Sequence, residues 1–141
     1  MAKKQTKEAQ EHADMKQNYL RALADYQNLE RRTAEQIGQI RKIAEQRLLL
    51  QFLDVVDDIE RAEVFVKDEG LALVKSKIYK ILEDSGVKAL DLLGKDFDPY
   101  TAECIELVEG QENKVVKELQ KGYALGEEIL RPAKVAVGKA K

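Results

Sequence analysis

From Ala22 onward the apolar and small residues fall at Ala22, Tyr26, Leu29, Thr33, Ile37, Ile40, Ala44 and Leu48, at spacings of 4, 3, 4, 4, 3, 4 and 4. Ala22, Thr33 and Ala44 recur every 11 residues, as do Tyr26, Ile37 and Leu48, with Leu29 and Ile40 as a third pair. Eleven residues over three turns is about 3.67 per turn, a period that predicts a helix pairing almost straight or with a gentle right-handed drift. Thr33 and the alanines make this a thin seam, and Gly38 within it weakens the helix by about 1 kcal/mol.

The pattern then thickens to Leu48, Leu49, Leu50, Phe52, Leu53, Val55, Val56 and Ile59. A helix apolar over that much of its circumference is packed by several neighbours. Leu71, Val74, Ile78, Ile81 and Leu82 share one face of a second predicted helix, which ends at Ser85-Gly86, with Gly86 suited to the left-handed position after a helix. Two such hairpins from two chains make a four-helix bundle. After Gly86 the period changes: Ala102 to Val108, Lys114 to Leu119 and Ala133 to Val137 are short runs separated by Gly110, Gly122, Gly126 and Pro132. These predict a β module of about 50 residues with four or more strands, too small to stand alone and expected to lean on the helices.

The punctuation follows the same division. Six of the eight glycines and both prolines lie from Gly86 onward, so little interrupts a front helix running from about Lys3 to Val66, roughly 95 Å long at 1.5 Å per residue. No core within a chain of 141 residues covers such a stripe, and a second copy is the simplest partner. The expected organisation is α+β: a helical stalk over 1–47, a hairpin of the dimeric bundle over 48–86, and a β wing over 87–141. Tyr26, Leu29, Ile37, Ile40, Leu48, Phe52, Val56 and Ile59 are the predicted dimer contacts.

Charge and chemistry narrow the function. The 24 basic and 26 acidic residues are interspersed, for a net charge of −2, and give no single-sign tract to follow a nucleic-acid backbone. No apolar run approaches a membrane span. Met1 to Lys7 is polar, unlike a signal peptide, and the one cysteine excludes an internal disulfide, so a reducing, cytoplasmic setting is expected. There is no phosphate-cradling glycine loop, dinucleotide fingerprint or paired-histidine zinc motif; no metal and no cofactor are expected. His12 reads as a solvated helix residue, Cys104 as a small buried core thiol, and Asp54, Asp57, Asp58 and Glu60 as a solvated acidic face. The chain is expected to work by binding and not as an enzyme.

Several strings occur in one order: Ala24-Asp25-Tyr26-Gln27-Asn28-Leu29-Glu30-Arg31-Arg32-Thr33, Val55-Val56-Asp57-Asp58-Ile59-Glu60-Arg61-Ala62, Phe97-Asp98-Pro99, Gln120-Lys121-Gly122-Tyr123-Ala124-Leu125-Gly126, and Leu130-Arg131-Pro132-Ala133-Lys134-Val135-Ala136-Val137. Together they resemble the GrpE family, nucleotide exchange factors of DnaK-type heat-shock chaperones, from about Tyr19 to Val137. The resemblance implies a parallel homodimer whose wing grips the ATPase domain of one DnaK, opens its nucleotide cleft and speeds ADP release. It places partner contacts at Arg61, Phe97, Pro99, Leu119 and Val137. Phe97 and Val137 suit a wing core equally well, and Arg61 suits a local pairing with Asp57 or Asp58. Three positions depart from the family pattern: Asp54 where proline is usual, Ala102 where histidine is usual, and Glu128 where arginine is common. The stalk alone would also suit a coiled-coil scaffold whose β module caps an assembly, or a holdase that shields unfolded chains along it, but a scaffold has no need of the Phe97-Asp98-Pro99 and Arg131-Pro132-Ala133 elements.

Overall fold

A computed structural model describes residues 1–140. Helix α1 spans Ala2–Phe65 and helix α2 spans Glu69–Asp84, followed by six strands: β1 (Val87–Ala89), β2 (Ala102–Glu109), β3 (Val115–Gln120), β4 (Tyr123–Leu125), β5 (Glu128–Arg131) and β6 (Ala133–Lys139). The chain is therefore α+β. It divides into two compact units, Met1–Glu45 and the remainder from Gln46.

The first unit is helix from Ala2 onward, and every residue in it is exposed. Tyr26, Leu29, Ile37 and Ile40 are each about half exposed or more, Ile40 at 66%. Among the described residues of the chain nothing lies within 4 Å of a Cβ placed on Gly38, so no contact inside the chain calls for glycine there, and it costs helix stability.

In the second unit, Leu49, Leu53 and Val56 on α1 are spaced as one helical face, and all three are buried. They join Leu82 of α2 with Val87, Tyr123 and Leu130 in one core, against which Phe52, Ile78, Tyr79 and Leu125 pack. Val56, predicted as a dimer contact, is 0% exposed within the single chain; the sheet and α2 occupy its face, leaving no surface for a second copy. Leu48 is exposed, and Phe52 and Ile59 are half-buried. On α2 the predicted stripe is also rotated, because Ile78, Tyr79 and Leu82 meet the core while Val74 and Ile81 remain exposed.

Local signals set the ends of α2. The Asp68 carboxylate accepts a hydrogen bond from the Gly70 amide at 3.0 Å, satisfying one free N-terminal donor. At the other end Gly86 has φ 85°, the left-handed conformation glycine adopts without a Cβ penalty. The chain then enters β1, which pairs antiparallel with β4 (Val87 opposite Leu125), and β4 pairs antiparallel with β5 across Gly126. The second sheet has the order β2-β6-β3, with β2 parallel to β6 and β3 antiparallel to it. Ala102, Val115, Ala133, Val135 and Val137 form its core, with Leu92 and Phe97 against them.

The two sheets meet closely at Gly122. A Cβ there would stand 2.6 Å from the Ala133 amide nitrogen and 2.9 Å from a Leu90 methyl. Gly138 is as constrained, since a Cβ would lie 1.9 Å from the Gln111 carbonyl oxygen. Cys104 is exposed, not the buried thiol expected from composition, although it keeps the register of Ala102 and the shift in β2 comes only after it, between Cys104 and Glu106.

The helical hairpin also holds polar ties. The Tyr79 hydroxyl donates to Glu60, and Lys75 meets Glu63 at 2.8 Å. The Tyr123 hydroxyl is buried beside that of Tyr79. Burial, then the bond to Glu60, pushes the Tyr79 hydroxyl far above the usual tyrosine range, and burial raises Tyr123 as well. The hydrogen bond to Glu63 raises Lys75.

Two predictions follow from this packing and can be read by circular dichroism. Gly38→Ala should stabilise the first unit by about 1 kcal/mol and leave the second unmoved, whereas Gly138→Ala should destabilise the second by about 1 to 3 kcal/mol. The second prediction concerns alkali. A phenol whose folded pKa lies above its unfolded value near 10 contributes stability that is intact below about pH 10 and lost as pH rises further. Denaturant midpoints should fall above about pH 10, and Tyr79→Phe should flatten that fall, leaving the parts due to Tyr123 and Lys75. An equally steep fall in Tyr79→Phe would contradict the assignment.

Candidate functional site

Where α1 passes the end of β3, a cleft of about 380 Å³ opens between the helix and the second sheet. Asp57, Glu60 and Arg61 line it from α1; Glu118, Leu119, Gln120 and Lys121 line it from β3 and the residue beyond. Asp57, Glu60 and Arg61 lie three or four residues apart and so share a helix face. Arg61 and Leu119, distant in sequence, are thus brought together.

The carboxylates of this cleft are largely engaged from within. Asp57 takes two bonds from Arg131, at 2.6 and 3.1 Å, and a third from the Gln120 amide at 2.9 Å. Glu60 accepts from Tyr79. Glu118 accepts from the backbone amides of Leu92 and Leu93 at 3.2 and 3.1 Å, tying the β1–β2 connection to β3. The cluster at Asp54, Asp57, Asp58 and Glu60 is accordingly not one solvated acidic face: Asp57 and Glu60 turn toward protein donors, and Asp54 and Asp58 are exposed. Among the described residues, no group of three or more His, Cys, Asp or Glu side chains is placed to hold a metal ion.

The cations are held less firmly. Arg61 has a side chain 74% exposed and reaches Asp58 only at 3.7 Å, a surface pairing worth under about 1 kcal/mol. Lys121 approaches Glu60 at 3.6 Å and is about half exposed. Leu119 supplies an apolar wall, itself 43% exposed. The cleft therefore offers two loosely held cations beside an exposed apolar side chain.

The other sequence-predicted contacts are placed differently. Phe97 is half-buried against the second-sheet core, and its amide donates to Asn113 at 2.9 Å. Pro99 is exposed in the turn built by Asp98, whose carboxylate accepts from the Tyr100 amide at 3.0 Å. Val137 is 5% exposed and belongs to the core, so it cannot present a contact surface; its alternation with Val135 and Ala133 on the central strand turns it inward. Sequence reasoning did not place Lys121 in this cleft. Lys121 stood inside the quoted Gln120-to-Gly126 string without a role, and its reach toward Glu60 depends on tertiary packing that no local spacing reveals.

Among the described residues no helix is long and apolar enough to cross a membrane. The GrpE family model matches residues 1–139. Similar proteins include Protein GrpE of Picrophilus torridus, 36% identical over 126 residues, which cover 89% of this chain and 69% of that protein. Protein GrpE of Desulfatibacillum aliphaticivorans is 35% identical over 146 residues, covering 94% and 70%. Protein GrpE of Geobacillus kaustophilus is 36% identical over 136 residues, covering 89% and 64%. With a match along nearly its whole length and a helix–helix–sheet order that the quoted strings anticipated, the chain belongs to the GrpE family.

Proposed function

We propose that this chain is a homodimeric co-chaperone that binds the ATPase domain of a DnaK-type chaperone in the cytoplasm and accelerates ADP release. Family membership supports the class of function. The observation that carries the site is the convergence of Arg61 and Leu119 on one cleft, with Lys121 between the helix and the strand. The factor needs no catalytic group, because binding the open state of its partner more tightly than the closed state suffices to shift that equilibrium. Reciprocity requires ADP to weaken factor binding by the same ratio. The half-exposed apolar residues Tyr26, Leu29, Ile37, Ile40 and Leu48 favour pairing of two chains along α1.

Release of a fluorescent ADP analogue from the DnaK-type ATPase domain tests the reading. Addition of this protein should speed release. Arg61→Ala and Leu119→Ala should each weaken binding by roughly 1 to 3 kcal/mol as central contacts, while His12→Ala, on an exposed position of the first unit, leaves both binding and rate intact. No acceleration by the unaltered protein would overturn the function. Equal behaviour of all three variants would overturn the site. Sedimentation should give twice the chain mass, and a monomer at micromolar concentration would contradict the pairing.

A further inference from the structure

Arg131 ends β5 in the first sheet, and after Pro132 the chain starts β6 in the second. From that corner the guanidinium reaches in three directions. It forks onto the Asp57 carboxylate of α1 through Nη1 at 2.6 Å and Nη2 at 3.1 Å. Its Nη2 and Nε donate to the Lys121 carbonyl, at 2.6 and 3.1 Å, between β3 and β4. Its plane lies 5.3 Å from the centroid of the Tyr123 ring on β4. Asp57 in turn receives Gln120 from the end of β3. The two charged side chains are only 12% and 16% exposed.

A nearly buried fork of this kind is costly to desolvate and adds little stability over an apolar pair of the same shape. What it supplies is direction, since a planar guanidinium bonded at both ends fixes angle as well as distance. Apolar contacts of Leu53 and Val56 hold the helix near the first sheet but allow sliding; the fork does not.

We infer that Asp57 and Arg131 are positioning residues that hold both sheets at a fixed angle to α1, so that contact made by the sheets is converted into preference for the open state of the partner. This rests on the exchange function proposed above. A sheet free to pivot can follow the partner's surface in either state, so it retains affinity and loses the difference in affinity on which exchange depends.

The test uses the full chain, with Asp57→Asn, which removes the carboxylate charge, and Arg131→Lys, which keeps a cation but loses the planar fork. ADP release is followed as a function of factor concentration. Each variant should lower the maximal release rate about 10-fold, within the usual range of coupling between states, with the half-saturating concentration little changed. The double variant should be no worse than either single one, because both remove the same contact. An unchanged maximal rate, or a rise in half-saturating concentration with the maximal rate intact, would overturn the inference. Circular dichroism identifies a variant that fails to fold, in which case the other carries the test.

A second readout is independent of exchange. Spin labels on the exposed Cys104 of β2 and on Asp54→Cys of α1, diluted into unlabelled chains, report the helix-to-sheet distance. The distribution should be narrow in the parent and clearly broader with Asp57→Asn. Should the parent fail to speed release, the functional reading falls while the label widths still decide the positioning claim; equal widths would sink it.

Discussion

The contact on which the second unit turns is the fork between Arg131 and Asp57. Three pieces of chain meet there: the helix, the corner where β5 gives way to β6, and the connection from β3 to β4. Removing either charge leaves the other largely out of water with only neutral partners, Lys121's carbonyl for Arg131 and Gln120 for Asp57, a loss that reaches about 3 to 5 kcal/mol where a pair is fully buried. That penalty comes from desolvation, and it explains how two residues of little net stabilising value can dictate geometry. Gly122 serves the same junction, because its missing side chain lets the sheets approach at Ala133.

Around the fork, apolar burial does the holding. The core of Leu49, Leu53 and Val56 is completed by Val87, Tyr123 and Leu130, so the β part and the helical hairpin share an interior. Cutting the chain after α2 would bare that face of α1 instead of leaving a finished hairpin. The first unit has no such interior: all its residues are exposed, and helix propensity with intrachain pairs such as Arg31–Glu35 at 3.1 Å is a weak support for so long an element.

The helices and the three longer strands were legible because they are long enough to show a period, and the end of α2 was legible in Ser85-Gly86. β1, β4 and β5 have three or four residues, too few for alternation to register. The rotation of the hairpin's apolar stripe was illegible for a different reason. Leu48, Leu49, Phe52, Leu53 and Val56 offer two overlapping faces of similar hydrophobicity, and the choice between them is made by the sheet, which arrives from the far end of the chain. Val137 and Phe97 illustrate the same limit: an apolar residue in a small sheet serves core or contact, and burial alone separates the two. The acidic cluster hid its role because Asp57 meets Arg131 only after folding, although both lay within strings that marked the family.

If helix, first sheet and second sheet are locked as one body, they must open together. Native-state hydrogen exchange on the full chain measures this directly, by comparing amides of α1 near Leu53 and Val56 with those of β4 at Tyr123 and β6 at Val135. The account predicts a common opening free energy and a common denaturant dependence for all of them, as for a single cooperative unit. Strand amides that exchange through a smaller, separate opening while α1 near Leu53 and Val56 stays protected would contradict it.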